Sequence, residues 1–158
     1  MAEYSANQIQ IVNPGESIVF TESPVPCPYG LIRHRDDTGS FLLSGANPYY
    51  TNYCSCPCMR SRSVNYVCDF GANISIPTGG TVEPISVALS IDGSTVPTST
   101  MIVTPAAVDQ YFNVSRAINL SIWRGCCETV TVRNTSSQPI QVQNANIIFA
   151  RPDLYGIR

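Results

Sequence analysis

The chain has 158 residues, 44% hydrophobic and only 13% charged, with a formal net charge of −2; it lacks lysine, so all nine of its basic residues are arginine. That length suits one domain with a real core. The weakly negative balance excludes a general attraction to nucleic acid or to an anionic membrane, and no apolar run approaches the roughly 18 residues of a membrane helix.

The first residues, "MAEYSANQIQIVNPGES", are polar and lack the basic and apolar regions of a leader, so no classical signal peptide is expected. Twelve prolines and ten glycines are scattered along the sequence, leaving few windows long enough for a helix. "QIQIV" (Gln8–Val12) alternates apolar and polar and stops at the turn "NPGE"; residues 1–16 are expected to form an N-terminal docking strand or arm ahead of a head domain at 17–158. "SIVF" follows, then "GLIRHRDDTGSFLLSG" (Gly30–Gly45), then a cysteine-rich insert at 46–62. "SVNYVCDF" places Val64, Tyr66, Cys68 and Phe70 on one strand face and Asn65 and Asp69 on the other. "ISVALSIDG" sets Ile85, Val87, Leu89 and Ile91 together and meets Asp92-Gly93, a strong signal for a type I′ hairpin. "TPAAVDQ" (Thr104–Gln110) has room for one helical turn at most. "TVTVRN" and "PIQVQNANIIFA" close the chain. Ile140 and Val142 share one parity and Ile147 and Phe149 the other, so a bulge is expected between Gln143 and Asn146. About nine or ten short strands, with turns every 8–12 residues, predict an all-β, single-domain jelly-roll sandwich.

Seven cysteines in a chain without a leader point to disulfide chemistry reached by another route, such as release by lysis from a phage-infected cell or a spore mother cell. Cys54, Cys56 and Cys58 stand at alternate positions in "TNYCSCPCMRSR". In an extended chain their thiols would lie about 6.5–7 Å apart on one side, which does not match the C-x₂₋₄-C spacing of zinc knuckles. Three readings remain open for the cysteines: disulfides, buried free thiols, or a metal held by Cys54, Cys56 and Cys58 with Cys27 or Cys68 as fourth ligand. The working expectation is a stapled surface loop, with at least one bond from the insert to Cys27, to Cys68 or to the vicinal pair Cys126-Cys127. Adjacent cysteines bond to each other only with strain, and an odd count leaves one thiol free or bonded between chains.

One histidine, His34, sits among arginines in "IRHRDD", and no nucleophile elbow, P-loop or dinucleotide fingerprint occurs. No catalytic residue and no cofactor is assigned. "RSRS" (Arg60–Ser63) is too small a basic cluster for nucleic acid. The sequons at Asn73, Asn113, Asn119 and Asn134 read as unglycosylated strand and turn residues.

From Tyr66 onward, "YVCDFGANISIPTGG", "PISVALSIDGSTVPTST" and "TPAAVDQYFNVSRAINLSIWRGCCETVTVRNTSSQPIQVQNANIIFAR" resemble in their order the jelly-roll domains of the tumour necrosis factor/complement globular-head superfamily. The likeness is greatest to bacterial and phage versions such as the C-terminal heads of spore-hair collagen-like glycoproteins. A collagen-like stalk is missing and the 46–62 insert is extra. The resemblance implies a homotrimer, and two-sided apolar strands such as "FLL" and "NIIFA" agree with that, because a two-layer sandwich buries one face of each sheet. The expected function is structural: a trimeric head in a virion, as a capsid decoration or fibre, with other virion or surface-layer proteins as partners and without nucleic acid or membrane. The alternatives are a module binding a host receptor or glycan, with Tyr49, Tyr50 and Tyr53 of "ANPYYTNY" stacking on sugar rings, or a subunit of a spore surface or extracellular filament.

Overall fold

The computed structural model describes residues 1–27, 30–35, 37–45 and 63–152. Their strands form two antiparallel sheets stacked as a sandwich. Sheet A runs β10 (Phe112–Trp123), β6 (Ser63–Ser75), β12 (Ile140–Ala150), β1 (Ala2–Ala6), β3 (Glu22–Val25), with β2 (Gln10–Val12) also pairing with β12. Sheet B runs β4 (Ile32–His34), β5 (Phe41–Ser44), β11 (Cys127–Asn134), β7 (Ile85–Ile91), β8 (Ser94–Thr95), with β9 (Met101–Val103) also on β7.

The alternation in β6 explains how it lies. Val64, Tyr66, Cys68 and Phe70 are buried while Asn65 and Asp69 are exposed, as a half-buried strand of period two requires. At the predicted bulge the register of β12 against β6 shifts between Gln143 and Asn146, and Asn144 takes φ 51°. That extra residue lets Ile140 and Val142 before it, and Ile147 and Phe149 after it, all reach the core. Asp92 and Gly93 turn β7 into β8 with φ 47° and 86°, the positive values a type I′ turn needs. The "TPAAVDQ" segment contains no helix, and a 3₁₀ turn lies at Pro97–Ser99.

The all-β sandwich expected from the sequence is the observed fold, with twelve strands among the described residues rather than nine or ten. The difference lies in β2, β4, β8 and β9, which have two or three residues each and are too short to show a period. Residues 1–16 are already docked on their own chain. β1 lies between β12 and β3, and Ala2, Tyr4 and Ala6 are buried in the core, so the ladder groups of this segment are used within the sandwich.

An aromatic cluster joins the sheets at the β4–β5 edge. Phe41 packs its ring 4.9 Å from Tyr4, 5.2 Å from Phe20, 5.1 Å from Phe149 and 4.7 Å from His34. Tilted and edge-on arrangements at such distances add to the burial term.

Candidate functional site

The described cysteines do not converge. Cys68 lies in the core, opposite Ile118 on one side and Phe149 on the other. Burial, with Asp69 adding to it, pushes its thiol far above the ordinary value, so it resists becoming the thiolate that a metal or disulfide exchange needs. Cys27 is half-buried, near enough to Tyr4 that it adds to the burial that raises the Tyr4 phenol. Cys126 and Cys127 are exposed. All four are free thiols in the structure, so the expected bond from the insert to Cys27, Cys68 or the vicinal pair finds no support among the described residues. Cys68 is held away from the surface by its inward parity on β6. Cys54, Cys56 and Cys58, with the alternative metal set they form, lie outside the described residues, as do Tyr49, Tyr50 and Tyr53. Among the described residues no group of three metal-ligating side chains occurs.

His34 is half-buried against the aromatic cluster. Its ring stacks on Phe41 at 24° and lies 4.9 Å from Tyr4, and its Nε2 meets the Thr38 carbonyl at 3.0 Å.

The two ends of the 46–62 insert are anchored by one turn. Ser63 pairs with Trp123, Ser44 pairs with Cys127, and the Gly45 N–H donates to the Cys126 carbonyl at 2.8 Å. A Cβ on Gly45 would collide with the Trp123 carbonyl oxygen, so glycine is required for this close approach. Tyr66 reinforces the anchor by donating its hydroxyl to the Ser44 carbonyl at 2.7 Å. At the same end, burial and then Asp92 hold the Glu128 carboxyl above its usual range. A shallow depression lined by Gly30, Arg33, Leu42, Ser44 and Cys127 opens beside this turn.

The outer faces of the two sheets differ. On sheet A the cross-strand rows read Asn119–Val67–Ala150, Ala117–Asp69–Ile148 and Ser115–Gly71–Asn146. Across these three strands they are uncharged apart from Asp69 and without arginine; on β1 the Ile148 row continues to Glu3, which accepts from Asn146 Nδ2. On sheet B the outward positions of β11 are Thr129, Thr131 and Arg133, with Ser90 opposite Thr131 and Ala88 opposite Arg133. Ala88, Ser90 and Thr131 point outward by register yet are buried, so something on the outer face covers them. Arg133 is the long side chain directly across from Ala88, and such stems lie flat over apolar surface. Sequence reasoning missed this patch. Parity in "TVTVRN" places Thr131 and Arg133 on one face, but the small residues opposite them depend on the register with β7.

No family model matches the sequence, and no curated protein matches it. Solved structures with similar folds include the globular domain of zebrafish complement 1qA protein, with 10% identity over 93% of this chain and 94% of that one and a TM-score of 0.53. Lesser likenesses are to the sugar-binding EclA C-terminal domain, at 10% identity over 90% of this chain and 79% of that one with TM-score 0.39, and to the CBM22-1 xylan-binding domain of Paenibacillus barcinonensis Xyn10C, at 10% identity over 94% and 86% with TM-score 0.34. At these identities and scores the complement domain alone bears on this chain, and it bears on the fold: two antiparallel sheets in a jelly roll.

Proposed function

We propose that the protein is a non-catalytic jelly-roll head that assembles as a homotrimer through the outer face of sheet A and serves as a structural component, a decoration or fibre head, on the surface of a virion. The observation that carries the assembly is Gly71, at the centre of that face. Its φ is not positive, and an added Cβ would meet nothing nearer than 3.8 Å. The chain itself therefore does not require glycine there, although glycine inside a strand costs about 0.5–1 kcal/mol relative to alanine. A strand glycine marks a bulge or a place where another backbone or ligand approaches closely; Gly71 lies opposite the β12 bulge, and the open space above it would also admit a neighbouring chain. The flanking Ala117, Ser115 and Ala150 are equally small, and Ile148 adds partly exposed apolar surface.

Light scattering at micromolar concentration tests this. The expected mass is three times the 17.2 kDa chain. Gly71→Arg should give a folded monomer, since the site has room within one chain. A monomeric wild type, or a trimeric Gly71→Arg, refutes the assembly. Sedimentation of the protein with intact particles, followed by its identification in them, tests the virion setting.

A further inference from the structure

We propose that the outer face of sheet B around Arg133 binds the carboxylate of an acidic saccharide. This goes beyond the assembly through sheet A and stands whether or not that assembly forms.

Two polar atoms on this face are buried and have no hydrogen-bond partner: Arg133 Nε and Thr131 Oγ1. Thr131 is 5% exposed. The two side chains project from the same face of β11, two residues apart, about 7 Å by the strand rise. Two acids on adjoining segments have other hydrogen-bond partners. Glu16 accepts from the Asn13 backbone and side chain, and Asp92 accepts from the Thr129 N–H. A half-buried guanidinium without a counter-charge and a buried hydroxyl without an acceptor are both costly to hold. An anion seated over β11 would relieve both once the side chains that cover these atoms swing aside: the guanidinium fork suits a carboxylate bidentately, and the uncovered Thr131 hydroxyl can donate to it.

The surroundings decide the ligand class. The bridge Ser17↔Arg133 and the pairs Thr131↔Ser90 and Ser90↔Thr95 surround the arginine with hydroxyls rather than a second cation. One cation suits a monoanion and not a polyanion, for which a field of positive charge is needed. Ser90 is fully buried, and the accessible hydroxyls of Ser17 and Thr95 suit the hydroxyls of a sugar. Ile102, 66% exposed, is paired with Ser86 on the far side of β7. It lies about 12 Å from Arg133 by strand spacing and rise, within the span of a short oligosaccharide, and offers an apolar surface to a ring face.

The test is nuclear magnetic resonance titration of the full chain with sialyllactose, with lactose, acetate and inorganic sulfate as comparison probes. The Arg133 Nε–H resonance is assigned from its loss in Arg133→Gln. Sialyllactose is expected to shift that resonance in a saturable, salt-sensitive way, while lactose leaves it unmoved and acetate binds at least tenfold more weakly. Arg133→Gln should lower affinity by roughly tenfold or more, and Thr131→Val by a few-fold, as expected for losing hydrogen bonds to a charged group. Unchanged thermal unfolding of both variants shows that the loss is local. The absence of any shift with sialyllactose, equal binding by Arg133→Gln, or equal binding of lactose overturns the site. Inorganic sulfate or acetate binding as tightly as the sugar acid overturns its assignment to a saccharide. None of these outcomes depends on the mass measured by light scattering.

Discussion

Replacing Asn134 by alanine should destabilise the chain by about 3 kcal/mol. The Asn134 side chain is 1% exposed. Its Nδ2 donates to the Val12 and Gln138 carbonyls at 2.9 Å each, and its Oδ1 accepts from the Ser136 N–H at 2.8 Å. It thus ties the end of β11 in sheet B to β2 in sheet A and closes the turn before β12. Three bonds at about 1 kcal/mol net each give about 3 kcal/mol, a large share of a total that is typically about 5–15 kcal/mol. For a chain of this size that corresponds to a drop in Tm of roughly 6–12 °C. Urea unfolding with an unchanged m-value measures it. Asn134→Asp separates hydrogen bonding from packing. The carboxylate keeps the acceptor for Ser136 but faces two carbonyls without a donor, so its folded pKa is raised above the unfolded value. The aspartate variant binds more protons folded than unfolded, so it loses stability as pH rises through the raised pKa and regains it as pH falls. Asn134→Ala has no such dependence relative to wild type. A cost for Asn134→Ala within about 0.5 kcal/mol, the range of ordinary surface changes, or a deficit of Asn134→Asp that is the same at pH 7 and pH 4, refutes the reasoning. The same hydrogen bonds commit the Nδ2 of this sequon and leave it unavailable for a glycan in the folded chain.

Under native conditions iodoacetamide should modify Cys126 and Cys127 fastest, Cys27 more slowly, and Cys68 only on unfolding, because reactivity follows exposure and thiolate character; labelling of Cys68 at the rate of Cys126, read by peptide mass spectrometry, contradicts its placement. Glu128→Gln should stabilise the chain slightly at neutral pH. Its raised carboxyl contributes stability that is present below the unfolded pKa and lost as pH rises through the folded one, so the gain should vanish in acid; a Tm for Glu128→Gln below wild type at pH 7 is the contrary result.

How much of this was legible in the sequence depends on range. The inward set of β6, the Asp92-Gly93 turn and the β12 bulge are local, and alternation with turn chemistry displays them. The inward parity of Cys68 beside Tyr66 and Phe70 was equally visible, and it already argued against pairing that thiol with a surface loop. β1 is harder to read. Its central place buries Ser5 as well as Ala2, Tyr4 and Ala6, so polarity does not mark which residues face in. Arg133 and Thr131 read as ordinary outward residues until the register with β7 sets Ala88 and Ser90 beneath them, a contact between segments more than forty positions apart. His34 lies close to Phe41 in sequence, but the ring cluster it half-buries against is completed by Tyr4 and Phe149 arriving from the two ends of the chain.

The two outer faces of a sandwich point in opposite directions, so assembly through sheet A and binding on sheet B do not compete. A trimer joined through Gly71 would carry three copies of the Arg133 patch facing outward. A single arginine with its hydroxyls, screened by solvent and salt, is a weak site, whereas linked sites gain about 10²–10⁴ in apparent affinity when the spacing of the ligands allows simultaneous engagement. Gly71→Arg should therefore leave the affinity for soluble sialyllactose unchanged and yet release the protein from a surface coated densely with the same sugar. Arg133→Gln should lose both. Equal retention of wild type and Gly71→Arg on the coated surface, measured by surface plasmon resonance at matched chain concentration, would show that the head does not engage its ligand as a trimer.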